Sequence, residues 1–568
     1  MGGDRNPVSS PLKVRPAPSI RPAPSTIVAV VLGAAVPLAF LAVFFAWPVA
    51  AMVARGLFVD GALDLGGFGD VLTRPRTLRL IGLTLGQAAL ASVICVVLGL
   101  PVAHVLYRLR FRGQRMLRAL VVLPFVLPTV VVGVAFRTLL REGGPLGSLH
   151  LDGTFAAIML ALVFFNVAVV VRTVGTTWEG LDQRQEEAAR VLGAGPVRVW
   201  LTVTLPRLAP AITSAASIVF LFCSTAFGVV LVLGGTKFGT IETEIYQLTT
   251  QFLDLRGASV LSVTQLVVVV LVLLIAAGAR GRRTAQRRVG SGQSRRAPRL
   301  GDLPTIVVTV AVAAFLALPI VALVLRSLRT ADGWGVGNYV ALGTTGSRNA
   351  LVVPVWVALG NSLVIAVQAT LIALVIGLAA SLVISRRPRS AGLRRSLAGF
   401  DGALMLPLGV SAVTVGFGFL ITLNQPPFDL RSSPVLVPIA QALVALPLVA
   451  RTILPVLTGI DGRMRESASM LGSPPWRVLR DVDLAIVGRP VLAASGFAFA
   501  VALGEFGATS FLSRPDRPTL PVVIFRLIGL PGGNNFGMAL AASVVLAAVT
   551  VGVIALVERL RVGTMGAF

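Results

Sequence analysis

Apolar residues fall along this chain in runs of about 20, the length an α-helix needs to cross roughly 30 Å of hydrocarbon, with short polar or basic stretches between them. The pattern predicts spans over 27–52, 80–106, 117–140, 155–176, 211–235 and 258–279. A second set follows over 304–326, 361–384, 402–423, 434–457, 490–513 and 537–557. Continuous helices satisfy their own backbone inside lipid, whereas a β-barrel would show short alternating strands. The fold class is therefore an all-α membrane protein of about 12 transmembrane helices. An even number of spans per half returns the chain to its starting side, so the halves form parallel six-helix repeats.

A polar island interrupts each half between its fourth and fifth spans, and the two islands match. Arg172-Thr173, Gly180-Leu181-Asp182, Arg184, Glu187, Ala189 and Leu192-Gly193 recur about 279 residues later. The second copy is Arg451-Thr452, Gly459-Ile460-Asp461, Arg463, Glu466, Ala468 and Leu471-Gly472. The match runs on through Pro196-Val197-Arg198-Val199 and Pro475-Trp476-Arg477-Val478. Asp182 and Asp461 stand where a carboxylate would satisfy the first free N–H groups of a short helix. Asp182 with Gln185 also has capping-box spacing, which Asp461 with Met464 lacks. Gly193 and Gly472 would end that helix, and Pro196 and Pro475 would start the next. Each island thus reads as a helix–turn–helix elbow lying along the membrane. Ordinary amphipathic loops would explain one copy; two in register indicate docking to a two-fold partner.

Composition agrees with a bilayer as solvent: mean hydropathy is +0.87 and only 13% of residues are charged. The net charge of +26 sits largely in short loops. Five arginines lie between Arg108 and Arg118, five between Arg386 and Arg395, and eight between Arg280 and Arg299. All fall on the face that carries both islands, which the positive-inside rule assigns to the cytoplasm together with both termini. The opposite face carries Asp60, Asp64, Asp70, Glu242, Glu244 and Asp254, offset by Arg74, Arg76 and Arg79. Topology and anionic headgroups account for the basic excess, so nucleic acid is not a partner. The organisation expected is a disordered cytoplasmic tail 1–26, a first repeat 27–279 with loop 180–206, a flexible basic linker 280–303, and a second repeat 304–568 with loop 459–489.

Enzyme chemistry finds little support. Cys95 and Cys223 lie in apolar spans without metal or disulfide spacing, and the only histidines, His104 and His150, fall on opposite faces. A Gly-x4-Gly-Lys-Ser/Thr phosphate loop is missing, as are a nucleophile elbow and a zinc-protease helix. No catalytic, cofactor or metal site is therefore expected in this chain.

Glu187-Ala188-Ala189, Gly193 and Val203-Thr204-Leu205-Pro206 resemble the signature loop of binding-protein-dependent ABC importer permeases: Glu-Ala-Ala, Gly six residues on, then Ile-x-Leu-Pro. The second copy keeps Glu466-Ser467-Ala468 and Gly472 but ends Val482-Asp483-Leu484-Ala485, with Ala485 in place of proline. The resemblance spans about 50–560. It implies that Glu187, Ala188, Ala189, Gly193, Glu466, Ala468 and Gly472 dock two ATP-binding cassette subunits, which hold the ATP. It also implies an extracytoplasmic substrate-binding protein, with 236–256 and 514–534 as its contacts, and a bacterial inner-membrane location. Phe238-Gly239-Thr240-Ile241-Glu242 and Gly504-Glu505-Phe506-Gly507-Ala508-Thr509, on a fused chain, resemble the ferric-iron and thiamine branch. Ferric iron is the reading preferred at this point, with thiamine the alternative.

Glu505 is the one carboxylate expected inside a span, where an unpaired charge costs several kcal/mol. It is either a contact or gate residue on the translocation path, or else an interfacial carboxylate near the outer end or one paired with an arginine such as Arg514. Asn361, Gln368 and Gln441 are expected to make hydrogen bonds between helices. An ion-gradient transporter would use twelve helices too, but would leave the elbows without a purpose. A membrane scaffold or sensor is the other rival, which ATP-dependent transport would exclude.

Overall fold

The computed structural model describes residues 24–235, 237–281, 296–330, 333–386, 391–423, 429–532 and 534–562. Residues 1–23 of the tail and 282–295 of the linker lie outside them.

The first half opens with α1 (Pro24–Leu41), a π-helical turn at Ala42–Ala46 and α2 (Trp47–Leu57). A hairpin of β1 (Phe58–Val59) and β2 (Ala62–Leu63) pairs Phe58 with Leu63, and leads to α3 (Leu65–Thr73) and α4 (Pro75–Arg108). Next come α5 (Gln114–Val126), α6 (Thr129–Leu140) and α7 (Phe155–Glu179). The elbow is α8 (Arg184–Val191) and α9 (Pro196–Val199), which continues through a π turn at Trp200–Thr204 into α10 (Leu205–Ser224). The half closes with α11 (Gly228–Leu233), α12 (Ile241–Thr250) and α13 (Leu255–Gly281).

The second half repeats this order. It has α14 (Leu303–Ser327), a hairpin of β3 (Arg329–Thr330) and β4 (Gly333–Trp334), α15 (Gly337–Val340) and α16 (Val355–Ile384). There follow α17 (Ala391–Gly409), α18 (Ala412–Thr422), α19 (Leu436–Gly459), α20 (Gly462–Met470) and α21 (Pro475–Val478). A π turn at Leu479–Leu484 leads to α22 (Ala485–Gly504), α23 (Thr509–Leu512), α24 (Leu520–Gly529) and α25 (Asn535–Val562). Among the described residues ten helices are long and apolar enough to cross a membrane, or twelve if each of two bent pairs counts as one.

Those bent pairs correct the spans expected at 117–140 and 402–423. α5 meets α6 at 105° and α17 meets α18 at 93°. Leu127 precedes Pro128 and is pushed to extended backbone, so the first pair breaks there. In the second pair Ser411 is extended and caps α18 by accepting the Thr414 N–H at 3.0 Å. The spans expected at 211–235 and 490–513 are shorter at one end than read: α10 stops at Ser224 and α22 at Gly504, before the short α11 and α23. The buried carbonyls of Cys223 and Ser224, at the end of α10, accept from Gln87 Nε2 at 3.2 Å and Gln265 Nε2 at 3.0 Å.

Each half is held by the same close helix contacts. An added Cβ at Gly99 of α4 would sit 2.8 Å from Val170 of α7, and one at Gly377 of α16 would sit 2.7 Å from Val449 of α19. Small residues let helices approach where lipid offers no hydrophobic drive to associate. The opening helices, however, cross over. α1 packs on α16 and α2 on α18, with Gly33 facing Val383 and Gly418 facing Pro48 and Met52. α14 packs on α4 and α6, where Phe315 meets Phe136 and Phe164. The linker is likewise tied at its far end: Arg296 N–H donates to the Arg108 carbonyl at 3.2 Å and its guanidinium grips Asp302. The tether expected at 280–303 is therefore fixed from Arg296 onward.

Candidate functional site

Both elbows are built on one backbone device. Gly193 (φ 83°) and Gly472 (φ 81°) take the left-handed conformation that lets a helix stop without a Cβ clash. Gly193 N–H donates to Arg190 O and Ala194 N–H to Ala189 O, at 2.9 and 3.0 Å. Gly472 N–H donates to Ser469 O and Ser473 N–H to Ala468 O, at 3.0 and 3.1 Å. This double closure is the Schellman arrangement. Asp182 and Asp461 accept the N–H of Arg184 and Arg463, each at 3.0 Å, so Asp182 acts just before the helix and not in a capping box.

The closure leaves apolar side chains standing in the open. Val191 and Leu192 are each 87% exposed; Met470 and Leu471, at the matching positions, are 90% and 86% exposed. Val197 and Trp476 flank them, also exposed. Glu187, Ala188 and Glu466 are exposed as well, while Ala189 and Ala468 are half-buried. Each elbow thus ends a largely polar helix in a small exposed apolar tip.

Sequence reasoning missed what holds each elbow down. In the first, Glu186 accepts from Arg108 at 3.0 Å and from Thr204 Oγ1 at 3.1 Å. At the matching positions of the second stand Arg465, Arg386 and Asp483. Asp483 accepts from Arg465 Nε at 2.7 Å and from Arg386 at 3.1 Å. The carboxylate has moved from the elbow helix to the π turn, and the charge on the helix has reversed. A search for identities passes over such a pair. Complementary charge in register is the signal that would have found it. Beside the first anchor, His104 bonds Asp302 at 3.2 Å and its ring lies 5.3 Å from that of Trp178, which meets Trp200.

At the far end from the elbows, Arg76 donates to Glu244 at 2.9 Å. Asp64 accepts the Gly67 N–H and pairs with Arg256 at 2.6 Å, and both contacts hold its carboxyl below the usual range.

Between the halves lies a seam of aromatic rings. Phe227 and Phe506, equivalent in the repeat, stack at 5.4 Å and 18°. Each carries a second equivalent ring on its outer side: Tyr246 at 5.4 Å from Phe227 and Phe525 at 5.3 Å from Phe506. The helices bearing those outer rings are positioned alike. Ile241 N–H donates to Thr84 Oγ1 at 3.1 Å, and Leu520 N–H to Ser362 Oγ at 2.7 Å.

Glu505 sits beside this seam, buried, but not as expected. Arg514 pairs with Asp516 through two 3.0 Å bonds and is not its partner. Glu505 instead accepts the N–H groups of Ala508 and Thr509 at 2.8 and 3.0 Å and the Thr509 hydroxyl, capping the turn into α23. Glu505→Ala should lower stability in detergent by about 1–2 kcal/mol, read as a drop in unfolding midpoint, with Glu505→Gln milder. Lost uptake at unchanged stability would instead favour a path role. Asn361 and Gln441 do bridge elements, to Pro518 O and Thr509 Oγ1, each at 3.3 Å, whereas Gln368 is exposed on its helix.

A family described as "Binding-protein-dependent transport system inner membrane component" matches residues 95–287. The thiamine transport system permease protein ThiP of Brucella abortus is 27% identical over 84% of this chain and 88% of its own length. ThiP of Escherichia coli is 28% identical over 78% and 82%. The molybdenum transport system permease protein ModB of Mycobacterium bovis is 32% identical over 42% of this chain and 90% of its own length.

Proposed function

This chain belongs to the family of binding-protein-dependent transport system inner membrane components, and from that membership we propose that it is the permease of an ATP-driven thiamine importer. The observation carrying the cargo is the extent of the match: thiamine permeases align with both fused halves, 84% of this chain against 88% of theirs. The molybdenum permease matches over 42% of the chain and speaks only to the shared fold. Thiamine thus replaces ferric iron as the preferred substrate. Membership in this family also removes the basis for a carrier driven by an ion gradient, or for a scaffold.

In this reading the chain provides the path, and separate ATPase subunits provide the energy. One ATPase subunit seats on each elbow, against Val191 and Leu192 or Met470 and Leu471, with Glu187 and Glu466 on the same short helices. The basic loops support a cytoplasmic position for the elbows and both termini. An outer binding protein delivers substrate to the opposite face. ATP-driven closure draws the elbows together, and the anchors at Arg108 and Arg386 carry that motion to the ends of α4 and α16, parting the seam.

The test is uptake of radiolabelled thiamine and of ferric iron in cells with and without this gene, each with and without ATP depletion. Loss of ATP-dependent thiamine uptake alone is expected. Loss of iron uptake alone would overturn the cargo, and ATP-independent uptake would overturn the mechanism.

A further inference from the structure

The ring seam has an ionisable neighbour that the fold does not explain. Glu242 is fully buried on α12, one turn before Tyr246 and on the same helix face. Ser411 of the other half donates to its Oε2 at 2.6 Å, and its Oε1 has no hydrogen-bond partner among the described residues. A buried carboxyl with one oxygen unanswered is costly, and a glutamine or an apolar residue would cost less. The repeat places Pro521 at the equivalent position, so the feature occurs once, on one side of a seam that is otherwise two-fold. Glu505 cannot serve the same purpose, because both its oxygens are taken by groups of its own turn.

We propose that Phe227, Phe506, Tyr246 and Phe525, with Glu242, form a recognition gate for a flat organic cation. The inference rests on the thiamine reading and deepens it. Phe227 and Phe506 are equivalent and stacked on each other, so the repeat axis passes between them, where a path between the halves must run. With the halves together each ring covers the other's face. When they part, two ring faces and a carboxylate oxygen come free at one place. Ring faces attract a cation through their quadrupoles, most strongly where water is excluded. A carboxylate on one side then neutralises the charge and fixes the orientation. A thiazolium-type ring, flat and positively charged, meets all three groups. A hard metal ion calls for several oxygen donors and gains little from ring faces. The same rings thus shut the path and read what passes through it.

The experiment uses the whole transporter, with ATPase subunits and binding protein, in proteoliposomes, and follows ATP-driven uptake of radiolabelled thiamine. Glu242→Gln keeps shape and the bond to Ser411, and is expected to cut uptake about tenfold or more. Phe506→Leu should do likewise, and Phe506→Trp should retain most uptake, because it keeps a ring face. Assembly with the ATPase subunits on gel filtration shows whether each variant has folded. If Glu242→Gln fails to assemble, the leucine and tryptophan variants at 506 decide alone. Near wild-type uptake by Phe506→Leu, or equal losses for leucine and tryptophan, would overturn the gate while leaving thiamine import standing. A wild-type transporter that does not move thiamine would overturn both.

Discussion

Replacing Leu192 and Leu471 together by glutamate is expected to abolish co-purification of the ATPase subunits while the permease still inserts and elutes as a single species. Both side chains stand almost wholly in the open, just past the ends of short, largely polar helices and next to Val191 and Met470. Burying a leucine that was fully exposed contributes about 1.5–3 kcal/mol. Removing that at both elbows, and asking a carboxylate to enter an apolar contact, should weaken association by roughly a hundredfold or more. Either single substitution should leave measurable binding through the intact elbow. The exposed charges of Glu187 and Glu466 are expected to matter less per residue, because exposed ion pairs contribute about 1 kcal/mol at most. Normal co-purification of a well-folded Leu192→Glu, Leu471→Glu permease would sink the docking assignment.

The second large effect is expected at a residue that no motif highlights. Asp483→Ala should uncouple the second elbow. The carboxylate it removes is 1% exposed and serves two guanidiniums, Arg465 and Arg386. Breaking a buried pair from one side costs about 3–5 kcal/mol; here the arginines reach solvent in part, so about 2–3 kcal/mol is a fairer figure. The readout is the detergent unfolding midpoint together with the ratio of transport to ATP hydrolysis, and both should fall. The first elbow offers the matching control. Glu186→Arg alone sets a second guanidinium against Arg108. Adding Thr204→Asp rebuilds the arrangement of the second half and should recover most of the loss. Failure of that rescue would mean that the anchors are not equivalent.

Hydropathy exposed the crossings, and register exposed the repeat and both elbows, because glycine, proline and apolar runs act through local backbone and solvent terms. What stayed hidden depends on partners distant in the chain. The break at Leu127-Pro128 is flanked by equally apolar sequence, so a hydropathy window runs straight through it. An apolar face on α1 reads the same whether it meets lipid or α16. The anchors escaped because Glu186 and Arg465 differ where the search looked for sameness. Phe227 and Phe506 occupy equivalent positions of the repeat, yet only the fold shows that they touch each other. Glu505 drew attention as a charge inside a span, whereas the unanswered oxygen belongs to Glu242.

The crossed opening helices also bear on how this molecule comes into being. α1 is made before α16, and its packing surface on α16 follows only more than 300 residues later. At typical rates of synthesis that is a wait of about 15 to 60 s. During that interval lipid takes the place on α1 that α16 will later fill. The first half therefore cannot mature by itself during translation. Both halves reach their final form together, late, once α14 has folded back over α4 and α16 has offered itself to α1.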